Sequence, residues 1–229
     1  MELPAAHLEP TPRWVRVRAG GEWVADSRRA LLLAWYGPDR LPTYCFPVDD
    51  VRTDLLPALG DAALQLRDLP AAVAEAEGMW TFTWDGRVQW FEEALEVIVH
   101  AKDTTKRVDA LPSERHVRIE LAGELVAESR RPHALFELPL PTRWYLPAED
   151  VRMDVLEPSD TVTQCPYKGT ARYWSVRAGG RLHPDLAWSY PDPIPENPRI
   201  AGLVAFFNER VDLTIDGELQ PRPRTPWST

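Results

Sequence analysis

Few features constrain a fold as tightly as an internal repeat, because each copy must then form its own core or share one. Val15-Arg16-Val17 is followed by Gly21-Glu22 and Val24-Ala25-Asp26-Ser27-Arg28-Arg29. Val117-Arg118-Ile119 is followed, at one constant offset, by Gly123-Glu124 and Val126-Ala127-Glu128-Ser129-Arg130-Arg131. Leu41-Pro42-Thr43, Pro47, Asp50-Val51-Arg52 and Asp54 then match Leu140-Pro141-Thr142, Pro147, Asp150-Val151-Arg152 and Asp154 after a small indel. Trp80 and Gly86-Arg87 align with Trp174 and Gly180-Arg181. An ordered set of this kind reads as two tandem modules, residues 1–112 and 113–229, with the boundary near Pro112.

The local pattern within each module is the hairpin. Val15-Arg16-Val17-Arg18 alternates, turns at Gly20-Gly21 and returns through Trp23-Val24. Residues 117–121, Ala122-Gly123 and residues 125–127 repeat it. Residues 80–84 with Asp85-Gly86 and Val88 predict another hairpin, and residues 174–177 with Gly179-Gly180 its counterpart; residues 211–215 close on Asp216-Gly217. Period-two alternation around such turns means half-buried antiparallel sheet. Residues 58–66 and 71–77 are alanine-rich and predict short helices split by Pro70, whereas residues 200–207 suit a helical turn or a strand equally. The expected fold is mainly β, two small antiparallel modules of β-tent or sandwich type with a few short helices. The 23 prolines punctuate short strands and disfavour long helices.

Composition narrows the partners. A formal charge of −9 argues against nucleic acid, which needs a basic face. No apolar run approaches the roughly 18 residues of a membrane span, and the opening residues have no secretory pattern, so a cytoplasmic protein without a membrane partner is expected. Cys45 and Cys165 form neither a disulfide framework nor a CxxC zinc motif, so no metal or other cofactor is expected.

Ser129-Arg130-Arg131, Tyr145-Leu146-Pro147, Glu149-Asp150-Val151-Arg152-Met153, Cys165-Pro166-Tyr167-Lys168-Gly169-Thr170-Ala171, Tyr173-Trp174-Ser175-Val176 and Ala187-Trp188-Ser189-Tyr190-Pro191 resemble the domain-of-unknown-function 427 family. The second module matches it fully and the first is a degenerate copy. The resemblance implies a β-tent or compact β-sandwich. The family's name likens it to nucleotidyltransferases, yet the chain has neither their glycine-serine phosphate loop nor magnesium-spaced carboxylates, and Asp150 and Asp154 read as turn residues. Several β-tent relatives hold zinc on paired CxxC motifs, which are missing here.

The C-P-Y-K-G and A-W-S-Y-P motifs occur in the second module alone, which makes them its candidate site. Their aligned positions in the first fall in residues 57–78 and near Glu93-Ala94. Lys168, in a tight loop, is the sharpest candidate. If aromatic groups desolvate it, its pKa falls and it can act as a base, a carbonyl-capturing amine or an anion clamp. Cys165 is a candidate nucleophile if Lys168 lowers its pKa. Tyr167, Trp174, Trp188 and Tyr190 can wall the loop, although Trp174, in an alternating strand, also suits core packing. Ser175, Ser189 and Tyr190 offer orienting hydroxyls, and His116, His133 and His183 read as surface or turn residues. The first reading is a small-molecule-binding module. The second is an enzyme using Lys168 with Cys165 or Tyr167, and the third is a scaffold whose first module serves dimerisation, giving a homo-oligomer.

Overall fold

The computed structural model describes residues 4–38, 40–97 and 99–228. The chain forms two compact units that divide between residues 104 and 105. No helix among the described residues is long and apolar enough to cross a membrane.

The first unit holds β1 (His7–Pro10), β2 (Val15–Ala19), β3 (Glu22–Ser27), β4 (Leu31–Ala34), β5 (Thr43–Cys45), β6 (Ala63–Gln65), β7 (Trp80–Phe82), β8 (Gln89–Glu92) and β9 (Leu95–Val97). They pair as β1-β4-β5, β3-β2-β8-β9 and β6-β7. Two reciprocal main-chain bonds between Phe46 and Trp80, 2.7 and 2.9 Å, join the line of β5 to β7. The second unit holds β10 (Val108–Pro112), β11 (Val117–Leu121), β12 (Glu124–Ser129), β13 (His133–Glu137), β14 (Arg143–Leu146), β15 (Leu156–Cys165), β16 (Gly169–Ala178), β17 (Arg181–Ser189), β18 (Val204–Phe206), β19 (Asp212–Ile215) and β20 (Glu218–Leu219). Seven strands form one sheet, β10-β13-β14-β18-β17-β16-β15, and four form another, β12-β11-β19-β20. All their pairings are antiparallel. The chain is therefore mainly β with short helical turns.

Alternation decides which side chains meet. In the second unit Val117, Ile119 and Leu121 of β11 pack on Trp144, Leu146, Val176 and Phe206. In the first, Val15 and Val17 pack on Tyr44, Phe46, Phe82 and Trp90. Trp90 is the hub, its ring stacked on Trp84 at 4.3 Å and on Phe46 at 5.7 Å. One corner has the same bonds in each unit. Ser27 Oγ donates to Asp50 (2.6 Å) and accepts from the Arg29 N–H, and Arg52 N–H donates to Val24 O (2.9 Å). Ser129 Oγ donates to Asp150 (2.7 Å) and accepts from the Arg131 N–H, and Arg152 N–H donates to Val126 O (2.9 Å). Asp54 and Asp154 each grip the neighbouring Arg52 or Arg152 in bidentate fashion. These carboxylates are thus occupied in holding the corner.

Several local expectations need correction. Residues 80–88 are not a hairpin: β7 pairs with β6, and β8 pairs with β2 in another sheet. The Asp85 carboxylate accepts from Thr83 Oγ1 and the Arg87 N–H, which makes Asp85-Gly86 part of a loop between sheets. The alanine-rich stretch 58–66 is a single turn of helix, α1 (Leu56–Leu59), a 3-10 turn (Gly60–Ala62) and β6. Residues 71–76 are 3-10 turns broken at Val73. After the 3-10 turn Pro198–Ile200 the ambiguous stretch becomes strand β18. Strand β10, which the sequence reading places in the first module, is the edge strand of the seven-stranded sheet. Trp90→Ala removes the first unit's hub and is expected to lower stability by about 3–5 kcal/mol, as such core truncations do; chemical denaturation followed by tryptophan fluorescence measures it.

Candidate functional site

The seven-stranded sheet has a second face, turned away from the main core. Its register aligns one row of residues: His133 faces Tyr145, Tyr145 faces Ala205, Ala205 faces Trp188, and Trp188 faces Tyr173. Tyr145, Ala205, Trp188 and Tyr173 form a separate cluster with Ala110, Leu135, Ala171, Tyr190 and Ile200. Trp188 Nε1–H donates to Tyr145 Oη (3.1 Å), and the two rings meet edge to face.

The C-P-Y-K-G loop is the turn between β15 and β16, where Cys165 pairs with Gly169 and Lys168 N–H donates to Cys165 O. Gly169 has φ +106°, and a Cβ there would lie 3.3 Å from Asp192 O, Ile194 N and Pro193 Cα. Glycine thus lets the chain run against the segment after A-W-S-Y-P without strain. Ile194 N–H donates to Lys168 O, and the buried Asn197 donates its Nδ2–H to Tyr167 O at 2.8 Å. These bonds hold the C-P-Y-K-G turn against residues 194–197, just after A-W-S-Y-P. Asn197 also lines a cleft of about 360 Å³ with Val108, Ala110, Pro195 and Arg199.

Lys168 reaches Glu137 at the end of β13, and Lys106 Nζ lies 2.9 Å from the other oxygen of the same carboxylate. The Glu137 side chain is 4% exposed, Lys168 12% and Lys106 22%. Lys106 Nζ also stands 5.1 Å from the centre of the Tyr167 ring. Among the described residues neither lysine has a second carboxylate within ion-pair distance, so the cluster carries two ammonium groups and one carboxylate. Burial alone would push the Glu137 carboxyl up, but Lys168 and Lys106 hold it below the usual carboxylate range. Burial pulls Lys168 down, and Cys165, Glu137 and Tyr145 more than offset it, leaving its pKa above that of an ordinary lysine. This corrects the expectation of a depressed, base-like Lys168: aromatic burial is present, but the partnering carboxylate keeps the ammonium charged. Burial pushes the Tyr145 hydroxyl up to about 12 and Tyr190 upward as well, so both stay protonated at neutral pH.

The candidate residues therefore separate into two sets. Lys168, Cys165, Tyr167, Trp188 and Tyr190 gather on the second face. Trp174 packs against the main core, and Ser189, between Trp188 and Tyr190, points to the opposite side of the sheet. Ser175 lies at an irregularity in the pairing, its Oγ accepting from the Asp185 N–H. His133, read as a turn or surface residue, stands in the tyrosine row with its Nδ1 buried and without a partner, and burial and Arg199 lower its pKa. Sequence reasoning missed Glu137, Lys106, Tyr145, Arg143, Glu209 and Asn197 as site residues. Tyr145 had a visible signal in its Y-L-P motif; Glu137 had none beyond its place at the end of an apolar strand.

The surroundings of Lys168 fall in the part of the chain that comparison with known families recognises. Residues 109–217 match the model of a family described as Domain of unknown function (DUF427). The matched stretch contains Glu137, Tyr145, the C-P-Y-K-G loop, Trp188 and Tyr190, and begins just after Lys106. No curated protein matches the chain.

Two expectations follow. Because the folded-state pKa of Glu137 is depressed, its contribution to stability is present above the unfolded value of about 4.3 and is lost as pH falls through the folded value. Glu137→Gln is expected to flatten the loss of stability below about pH 4.5 and to destabilise by roughly 3–5 kcal/mol at pH 7, since two buried ammonium groups lose their partner; urea titrations at stepped pH measure both. Gly169→Ala is expected to cost about 1–3 kcal/mol from the positive φ and the backbone approach, seen as a lower melting temperature.

Proposed function

We propose that the second unit is a binding module for a small anionic ligand, held at Lys106 and Lys168 beside the tyrosines and Trp188 of the second sheet face. The observation that carries this is the surplus cation. Two ammonium groups share one carboxylate in a largely desolvated setting, where an unneutralised charge attracts an anion far more strongly than it would in water. The protonated Tyr145 and Tyr190 add donors suited to the same ligand.

The first unit supports the reading as an internal control, and with it we infer that the chain is a duplication whose first copy has lost the site. Leu31 faces Cys45 and Leu33 faces Thr43, the register in which His133 faces Tyr145 and Leu135 faces Arg143. The turn Glu93 bonds to Trp14 through both its main-chain N–H and its carboxylate, as Asp216 does to His116. On this register Glu93-Ala94 answers to Asp216-Gly217, and A-W-S-Y-P answers to the region of β6. Tyr145 is then matched by Cys45, Arg143 by Thr43 and His133 by Leu31. The equivalent face is filled by Val73 and Ala76 with Leu66, Leu69 and Met79 around Leu33 and Cys45. On this reading the alanine-rich segment fills the space that the second unit leaves to a ligand, and among the described residues no lysine–carboxylate cluster like that at Glu137 stands beside Leu33 and Cys45.

The test is a thermal-shift and calorimetric titration of the full chain with phosphate, pyrophosphate, nucleotides with and without magnesium, and sugar phosphates. At a hundredfold excess over Kd an anion would stabilise the wild type by about 2.7 kcal/mol. Lys168→Ala should lose most of that shift and Lys168→Arg recover part of it, and added salt should weaken binding. Equal shifts in the wild type and Lys168→Ala, or none in either, would refute the assignment.

A further inference from the structure

The same sheet face continues past Trp188 to a second polar pair. Arg143, on β14 two residues before Tyr145, makes a bidentate ion pair with Glu209 at 2.6 and 2.7 Å. The Glu209 side chain is wholly buried and that of Arg143 nearly so. The guanidinium carbon lies 5.7 Å from the ring centres of Trp188 and Phe207, and those two rings stand 4.6 Å apart.

Residues 221–228 cover this pair. Thr225 Oγ1–H donates to Glu209 Oε1 at 2.6 Å. The Trp227 indole lies 6.3 Å from the Phe207 ring at 32° and 5.8 Å from the Arg143 guanidinium. The segment presents these two groups from a local knot: Thr225 N–H donates to Ser228 Oγ, Ser228 N–H to Thr225 O, and Trp227 N–H to Thr225 Oγ1. Its attachment to the rest of the unit is through side chains. Among the described residues no main-chain hydrogen bond ties 221–228 to a strand, the last being Gln220 N–H to Leu213 O. Among the described residues the segment's one ion pair is Arg222 with Asp212. Pro221, Pro223 and Pro226 have no N–H to give to a strand, and residues 221–228 run without strand pairing into a turn at 225–227. Trp227 is 42% exposed, whereas the Arg143 beneath it is buried.

A further observation separates the segment from its seat. Arg143, Trp188, Phe207 and Glu209 all lie inside the stretch that matches the family, which ends at residue 217; Thr225 and Trp227 lie beyond it. We propose that the Arg143–Glu209 pair with Phe207 and Trp188 is a recognition site for a short proline-flanked peptide carrying a hydroxyl and, two residues later, an indole, and that residues 221–228 occupy it in cis as a displaceable cover. Glu209 reads the hydroxyl, because Arg143 donates once to each of its oxygens and Oε1 accepts the Thr225 hydroxyl as a second donor. Arg143 and Phe207 read the indole through cation–π and ring contact. The inference does not rest on the anion-binding reading, since it concerns the other end of the face and a different ligand.

The experiment uses the full chain carrying Thr225→Val and Trp227→Ala, which vacates the site, and a labelled synthetic peptide spanning residues 221–228, followed by fluorescence anisotropy. The vacated chain should bind the peptide, and the wild type, already filled, should bind it at least tenfold more weakly. A peptide carrying Thr225→Val should bind the vacated chain at least tenfold more weakly than the parent peptide. The single variant Thr225→Val of the full chain, which keeps Trp227, provides a second host and should fall between the two. A vacated chain with native circular dichroism that does not bind, equal binding by the wild type, or a valine peptide that binds as well as the parent would each overturn the proposal.

Discussion

Burying a carboxylate is tolerated only where cations and donors replace the water it loses, and this condition at Glu137 organises much of the second unit. Glu137 stands at the end of β13, opposite Val108 of the edge strand. One of its cations comes from the C-P-Y-K-G turn. Lys168 arrives there from a turn pressed against residues 192–194, an approach that a Cβ at position 169 would strain. The other cation comes from Lys106, ahead of the edge strand. A loop, an edge and a strand end are thereby tied to a single buried charge, and the tyrosine row fills the space between them.

The two faces of the seven-stranded sheet have been put to different uses. One buries Val, Leu, Trp and Phe against the four-stranded sheet and behaves as an ordinary sandwich core. The other carries Tyr145, Trp188, Tyr173, Tyr190 and the two buried ion pairs. In the first unit Leu33 and Cys45, on strands β4 and β5, pack instead on Val73 and Ala76 of a 3-10 segment. A sheet permits this division because neighbouring residues point to opposite sides, so the polar face can change while the core face keeps the fold. Trp188 is the hinge of the arrangement on the polar side. Its indole N–H fixes Tyr145, and its ring lies beside Phe207 and over Arg143, so both ion pairs share one aromatic wall.

Much of this was legible in the chain, and the reasons for the gaps are local. The hairpins at Gly20-Gly21, Ala122-Gly123, Gly179-Gly180 and Asp216-Gly217 could be read because their strands are neighbours in sequence and their turns need residues that tolerate positive φ. The Asp85-Gly86 hairpin failed because Asp85 spends its side chain on Thr83 and Arg87, a competition that pattern alone does not reveal. The alanine-rich stretches read as helix by propensity, but tertiary pairing of β6 with β7 overrode it. In the site, Lys168 stood out by its motif, while Glu137, Lys106 and Glu209 did not. Each pairs with a residue distant in the chain, and a lone acidic or basic residue has no period to betray it.

The sequence by itself determined the β character, the hairpin turns, the Ser-Arg and Asp-Val-Arg corners and the grouping of two motifs in one half of the chain, because these depend on contacts between close neighbours or on the plain repetition of residues. Tertiary structure alone decided which face each motif residue joined. Trp174 and Ser189 differ from Tyr173 and Trp188 by one step along a strand, and that step sends them to the opposite side of the sheet. It also decided the charge state of the central lysine. Whether burial or a partner sets the pKa of Lys168 depends on Glu137, brought to it across the fold from the end of another strand, and electrostatic interactions follow distance in space and not along the chain.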